Sequence, residues 1–150
     1  LSDLSIINSV FGKLIADSVF LDYLGLTTDS PMAEKVKRIQ KEVEPNGLSA
    51  TNIPLVCIYP IPGVRNRIND IVYDAMFEVA IFSDTSTGVK SATQKAGTMT
   101  IGARVMELLH YIQLSGATFL TEFQSSFQQP SGVTGIKKYV MRFKVSEVIG

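Results

Sequence analysis

Tryptophan is absent from the 150 residues, and cysteine and histidine occur once each, as Cys57 and His110. A single thiol cannot close an internal disulfide, and one thiol with one imidazole cannot build a Cys/His zinc site. Charge is also sparse. Charged residues make up 19% of the chain, below the roughly 25% of an average soluble domain. The 14 basic residues are matched by 14 acidic ones, which excludes a globally basic nucleic-acid binder. An apolar fraction of 45% excludes a disordered chain. No apolar run approaches the roughly 20 residues that span a bilayer, so no membrane partner is expected. The start, Leu1-Ser2-Asp3, has neither Met nor a basic segment and reads as a trimmed chain, not a signal peptide. With no net charge there is little self-repulsion, a composition suited to a subunit whose surface is covered by partners.

The apolar pattern predicts one α+β domain over residues 1–150. Leu4, Ile7, Phe11, Leu14, Ile15, Leu21 and Leu24 share a helical face from about Ser2 to Leu24, with Phe20 off that stripe. A second helix is expected from Ser30-Pro31 to Val43, with Met32, Val36, Ile39 and Val43 as its apolar line. Ile53–Tyr59 reads as a strand stopped by Pro60-Ile61-Pro62-Gly63, with Arg65 and Arg67 on the loop beyond. Ile71–Phe82 is a long strand whose odd positions are all apolar, while Met76 and Phe82 fall on its mixed face.

Ser91 and Gln94 have the spacing of a capping box opening a helix to about Ile112. That helix carries two apolar stripes, one of them Met99, Ala103 and Met106, a pattern expected of a sandwiched helix. A third strand is expected from Ala117 to about Phe127, then a turn at Gln128-Gln129-Pro130, then a last strand from Ile136 to Val148. On the last strand Lys138, Arg142 and Lys144 form a basic line. The order α-α-β-β-α-β-β gives a mainly antiparallel sheet of about four strands flanked by helices.

Catalytic signatures are missing. There is no G-x-S-x-G, no phosphate-binding glycine loop and no H-E-x-x-H, so neither an enzyme nor a cofactor is expected. His110 sits on a helical stripe, and Cys57 lies in an apolar strand without a basic neighbour to activate it. A dispersed pair of carboxylates, or a ligand pocket lined by Tyr73, Phe77, Tyr139 and Phe143, remains an alternative.

This succession of elements resembles the tail-terminator and head-to-tail completion proteins of long-tailed bacteriophages. The likeness runs through Ile15-Ala16-Asp17 in the first helix, the apolar strand Ile53–Tyr59, the aromatic strand Tyr73–Phe82, the helix Ser91–Ile112 and the final hairpin. It spans most of the chain and leaves out residues 27–52. The resemblance implies a structural protein without an active site. It would form a homohexameric ring that caps the tail tube, ends its polymerisation and joins the tail to the head. Its partners would be copies of itself, the tail tube protein and a head completion or connector protein, with DNA only in passage. The place implied is the tail–head interface of the virion, after assembly in the host cytoplasm. By position, Phe20, Arg65, Arg67, Met76, Phe82, Gln128, Gln129, Lys138 and Arg142 are the candidate assembly contacts.

Overall fold

The computed structural model describes residues 3–65, 72–114, 117 and 120–148. Two long hairpins supply most of a mixed five-stranded sheet, ordered β1-β2-β3-β5-β4. Strand β2 (Leu55–Arg65) pairs antiparallel with β3 (Val72–Ser83), and β4 (Thr121–Pro130) with β5 (Lys137–Val148). The fifth strand is β1 (Ile39–Gln40), parallel to β2 at Val56 and Cys57. The α+β class expected from the sequence holds, with this short parallel strand making the sheet mixed.

The first apolar segment is two helices, not one: α1 (Asp3–Ile15) and α2 (Ser18–Tyr23). Asp17 breaks the run. Its backbone is extended (φ −98°, ψ 116°) and its carboxylate accepts from the Phe20 N–H at 2.8 Å, capping α2. The break turns Phe20 inward, which is why it lay off the helical stripe; it is fully buried and offers no surface for a partner.

The next segment reverses its expected polarity. Helix α3 (Met32–Arg38) stops at Ile39, where the chain extends into β1. Met32 and Val36 face solvent at 52% and 46% exposure, whereas Lys35 is buried with its Nζ donating to the Thr28 carbonyl at 2.8 Å.

Strand β2 continues through Pro60 and Pro62, where a turn was expected. Because β1 covers only Val56 and Cys57, no described strand lies on the outer side of that stretch of β2, and an edge tolerates proline. Ser91 caps a turn instead of a helix, accepting from the Gln94 N–H at 3.1 Å while its own N–H reaches the Gln94 carbonyl. Helix α4 (Thr98–Leu109) starts seven residues later than expected, as the interval from Ser91 to Thr98 shows.

One sheet face packs under α1, α2 and α4. Alternate residues of β3 and β5, among them Phe77, Val79, Ile81, Met141, Phe143 and Val145, meet Ile101, Val105 and Leu109 of α4 there. The opposite face holds a smaller cluster of Leu55, Cys57, Tyr59, Ala80, Phe82 and Val140, with Ile53 and Ile136 packed over it. Gly102 brings α4 close to the sheet: a Cβ there would lie 2.8 Å from the Tyr139 ring. The two apolar stripes of α4 are unequally covered: Ile101, Val105 and Leu109 are fully buried, whereas on the other stripe Met106 packs partly against the core and Met99 and Ala103 are exposed, with Gln128 of β4 reaching the Met99 sulfur.

The Asp17 carboxylate also ties the α1–α2 junction to α4, with Arg104 Nε and Nη2 at 2.9 and 2.6 Å. The Arg104 hydrogen bonds, aided by the Phe20 N–H and opposed by burial, hold this carboxyl below its usual range. A carboxyl depressed in the folded state contributes stability above the unfolded value, near 3.8, and loses that contribution as pH falls through the folded value. Asp17→Ala is expected to cost at least about 1 kcal/mol at neutral pH through the lost cap alone. Urea unfolding midpoints should show the difference from wild type narrowing below about pH 4, where Asp17 of the unfolded chain takes up its proton while the folded carboxylate is still charged.

Candidate functional site

The face of the sheet away from the helices carries a cross-strand arrangement of paired polar side chains. Cross-strand register sets Tyr59, Glu78 and Arg142 in one row and Ile61, Met76, Lys144 and Glu122 in the next. Arg142 donates from Nε and Nη2 to Glu78 Oε2 at 2.9 and 2.7 Å and lies 5.8 Å from the Phe127 ring centroid. Lys144 pairs with Glu122 at 3.1 Å, and Ser146 Oγ donates to Asp74 Oδ1 at 2.6 Å. Lys138 stands 5.5 Å over the Phe82 ring. The basic line read from β5 is therefore matched by its neighbours: Arg142 and Lys144 by carboxylates, Lys138 by an aromatic face. Burial, reinforced by Glu78, pushes the Tyr59 phenol up, so it stays protonated and serves as a hydrogen-bonding group.

The candidate contacts do not converge. Phe82 is buried in the second cluster, which overturns its reading as an exposed contact: the mixed face of β3 is itself covered. Met76 is half-buried on the same face. Gln128 and Gln129 are exposed, but within strand β4 and not in a turn, since both pair with β5 opposite Tyr139 and Lys138. Arg65 closes β2 opposite Tyr73, and Arg67 lies outside the described residues. These residues mark a sheet face, an edge and a strand end.

The groups with catalytic potential are held in structural roles. His110 Nδ1 accepts from the Phe123 N–H at 3.1 Å, which assigns the proton to Nε2, and its ring lies 3.8 Å from that of Tyr111. Cys57 is fully buried, and burial pushes its thiol up to about 12, far from a reactive thiolate. No set of three His, Cys, Asp or Glu among the described residues could hold a metal ion. Of the aromatic residues considered from the sequence as a pocket, Phe77 and Phe143 stack on each other at 5.2 Å, with Phe123 edge-on to Phe143 at 5.7 Å. The sequence pattern could not show that these rings fill one another's space, because they come from three separate strands.

Fold and surface together define an α+β domain with helices on one sheet face and matched charges on the other. No protein-family model matches the chain, and no curated protein does. Among solved structures, the fold is shared with a chain in the "Virion of native gene transfer agent (GTA) particle". That match is 18% identical with a TM-score of 0.56, and it covers 94% of this chain and 92% of the other. The likeness at this identity is one of fold.

Glu78 is 7% exposed and depends on Arg142 for its charge partner. Arg142→Met is expected to destabilise the fold by on the order of 2 kcal/mol, the cost of a buried charge left without its partner. Glu78→Gln, which leaves an amide acceptor in place, should cost less. Chemical denaturation of the two variants tests the ranking, and equal costs would show that the pair does not act as described.

Proposed function

We propose that the chain is a structural protein of a phage-like virion, acting as a tail terminator: a ring that caps the tail tube, stops its growth and joins the tail to the head. The observation that carries the reading is the fold shared, over nearly the whole of both chains, with a component of a gene transfer agent virion. The order of elements resembles terminator and completion proteins, and the groups that might have done chemistry are packed away, which supports a protein that works by assembly.

In this reading the mechanism is geometric. A subunit contact that joins unlike surfaces closes into a ring when its rotation divides the circle, and the six-fold ring expected from the family is one such closure. The ends of the strands would form the two faces of the ring. The β2 end at Arg65 lies at one end of the sheet, and the β4–β5 turn at Ser131–Ile136 lies at the other. Two unlike ends of one sheet can address two different partners, tube on one side and connector on the other. DNA passes through the ring without being read, and the working place is the tail–head interface.

The test uses the purified chain alone and mixed with purified tail tubes, followed by light scattering coupled to gel filtration and by negative-stain images. Rings of uniform size on tube tips, with tube elongation arrested in a polymerisation assay, are the expected result. A particle that stays monomeric or dimeric at high concentration and leaves tube growth unchanged would overturn the reading.

A further inference from the structure

Two helices turn apolar stripes toward solvent, and they do so at opposite edges of the sheet. At the β1 edge, α3 exposes Met32 and Val36, and Leu4 of α1 is 69% exposed. Between α1, α3 and β1 runs a groove of about 570 Å³ with a mixed lining, in which Phe11, Val36 and Ile39 stand beside Lys37, Lys41 and Glu42. At the β4 edge, α4 exposes Met99 and Ala103, and Met99 Sδ lies 3.8 Å from Gln128 Nε2 of the strand.

The β4 edge is closed for its first few residues and open beyond. Thr121 is bonded through its backbone to Tyr111 and Ile112, and the Phe123 N–H is taken by His110. From Ser125 to Gln129 the strand is uncharged and without proline, and no described strand lies on its outer side. Edges left this way invite pairing, whereas the open part of β2 carries Pro60 and Pro62.

We propose that these two flanks are the two halves of one contact between copies of this chain: the α4 stripe and open β4 edge of one subunit seat against the groove at the β1 edge of the next. The proposal rests on the ring reading above and names the surfaces that would build the ring. Lying at opposite edges of one sheet, the flanks cannot satisfy each other within a subunit, and their union between subunits is head-to-tail, the geometry a ring requires. Both flanks carry charges of both signs: Lys37, Lys41 and Glu42 line the groove, and Glu107, 66% exposed, pairs with Arg104 on α4, so like charge does not hold the two surfaces apart.

Cysteine pairs test the contact directly, since the native Cys57 is fully buried and its thiol unreactive. In the double variant Val36→Cys/Ala103→Cys, a short bis-thiol cross-linker is expected to give a ladder of covalent oligomers that ends at the ring. Each single variant should stay monomeric on a denaturing gel. Dimers from a single variant would reveal a two-fold contact between like surfaces and overturn the proposal. Rings in negative-stain images of the wild-type chain with no ladder from the double variant would overturn this contact and leave the tail-terminator reading standing. A ladder from a protein that neither forms rings nor caps tubes would support the contact and overturn that reading. As a second readout, Met99→Glu should weaken assembly at least ten-fold without lowering thermal stability, and Val133→Glu, on the exposed β4–β5 turn, should leave assembly unchanged.

Discussion

The pairing of β3 with β5 is the constraint on which the rest of the molecule depends. It runs without a shift from Val72 opposite Val148 to Ser83 opposite Lys137. Since side chains alternate across a strand, this one register decides both faces at once. It stacks Phe77 on Phe143 beneath the helices, and on the other face it brings Glu78 to Arg142 and Phe82 to Lys138. A slip by one residue would turn one of the two strands over and bring charged side chains, Glu78 of β3 or Arg142 and Lys144 of β5, under the helices. The flanking strands β2 and β4 each carry one irregularity, between Ile61 and Val64 and between Phe123 and Ser125. Bends are thus confined to the outer strands, while the central pair stays regular.

The strands were legible because their apolar alternation is long. Ile71–Phe82 falls one residue short of β3 at Ser83, with Ile71 outside the described residues, and Ile136–Val148 starts one residue before β5. Helices were harder. Periodicity carried the first helix straight through Asp17, since one capping carboxylate changes the backbone without disturbing the apolar count around it. The Ser91–Gln94 pattern has the chemistry of a helix start, and the same bond made a turn, because the residues that follow find their backbone partners in residues 85–88.

Surface and interior were not separable at the candidate contacts. Phe20 and Phe82 looked like surplus apolar residues when judged against a single buried face, yet a helix break and a second small core account for them. Met32, Val36 and Met99 looked like core residues and are not. The error has one physical source: a helical stripe states that a face avoids water, and leaves open whether the cover comes from the same chain.

The close approach at Gly102 links two residues far apart in the sequence. The Tyr139 ring occupies the space that any side chain at Gly102 would need, and Met141 Sδ lies 3.4 Å from the same point. Helix and sheet are consequently set at a spacing that neither residue can alter alone. In descendants of this chain, an alanine or serine at position 102 is tolerable only alongside a smaller residue at 139 or a displaced helix. The constraint runs one way: position 102 can gain a side chain only after position 139 has given up space or the helix has moved.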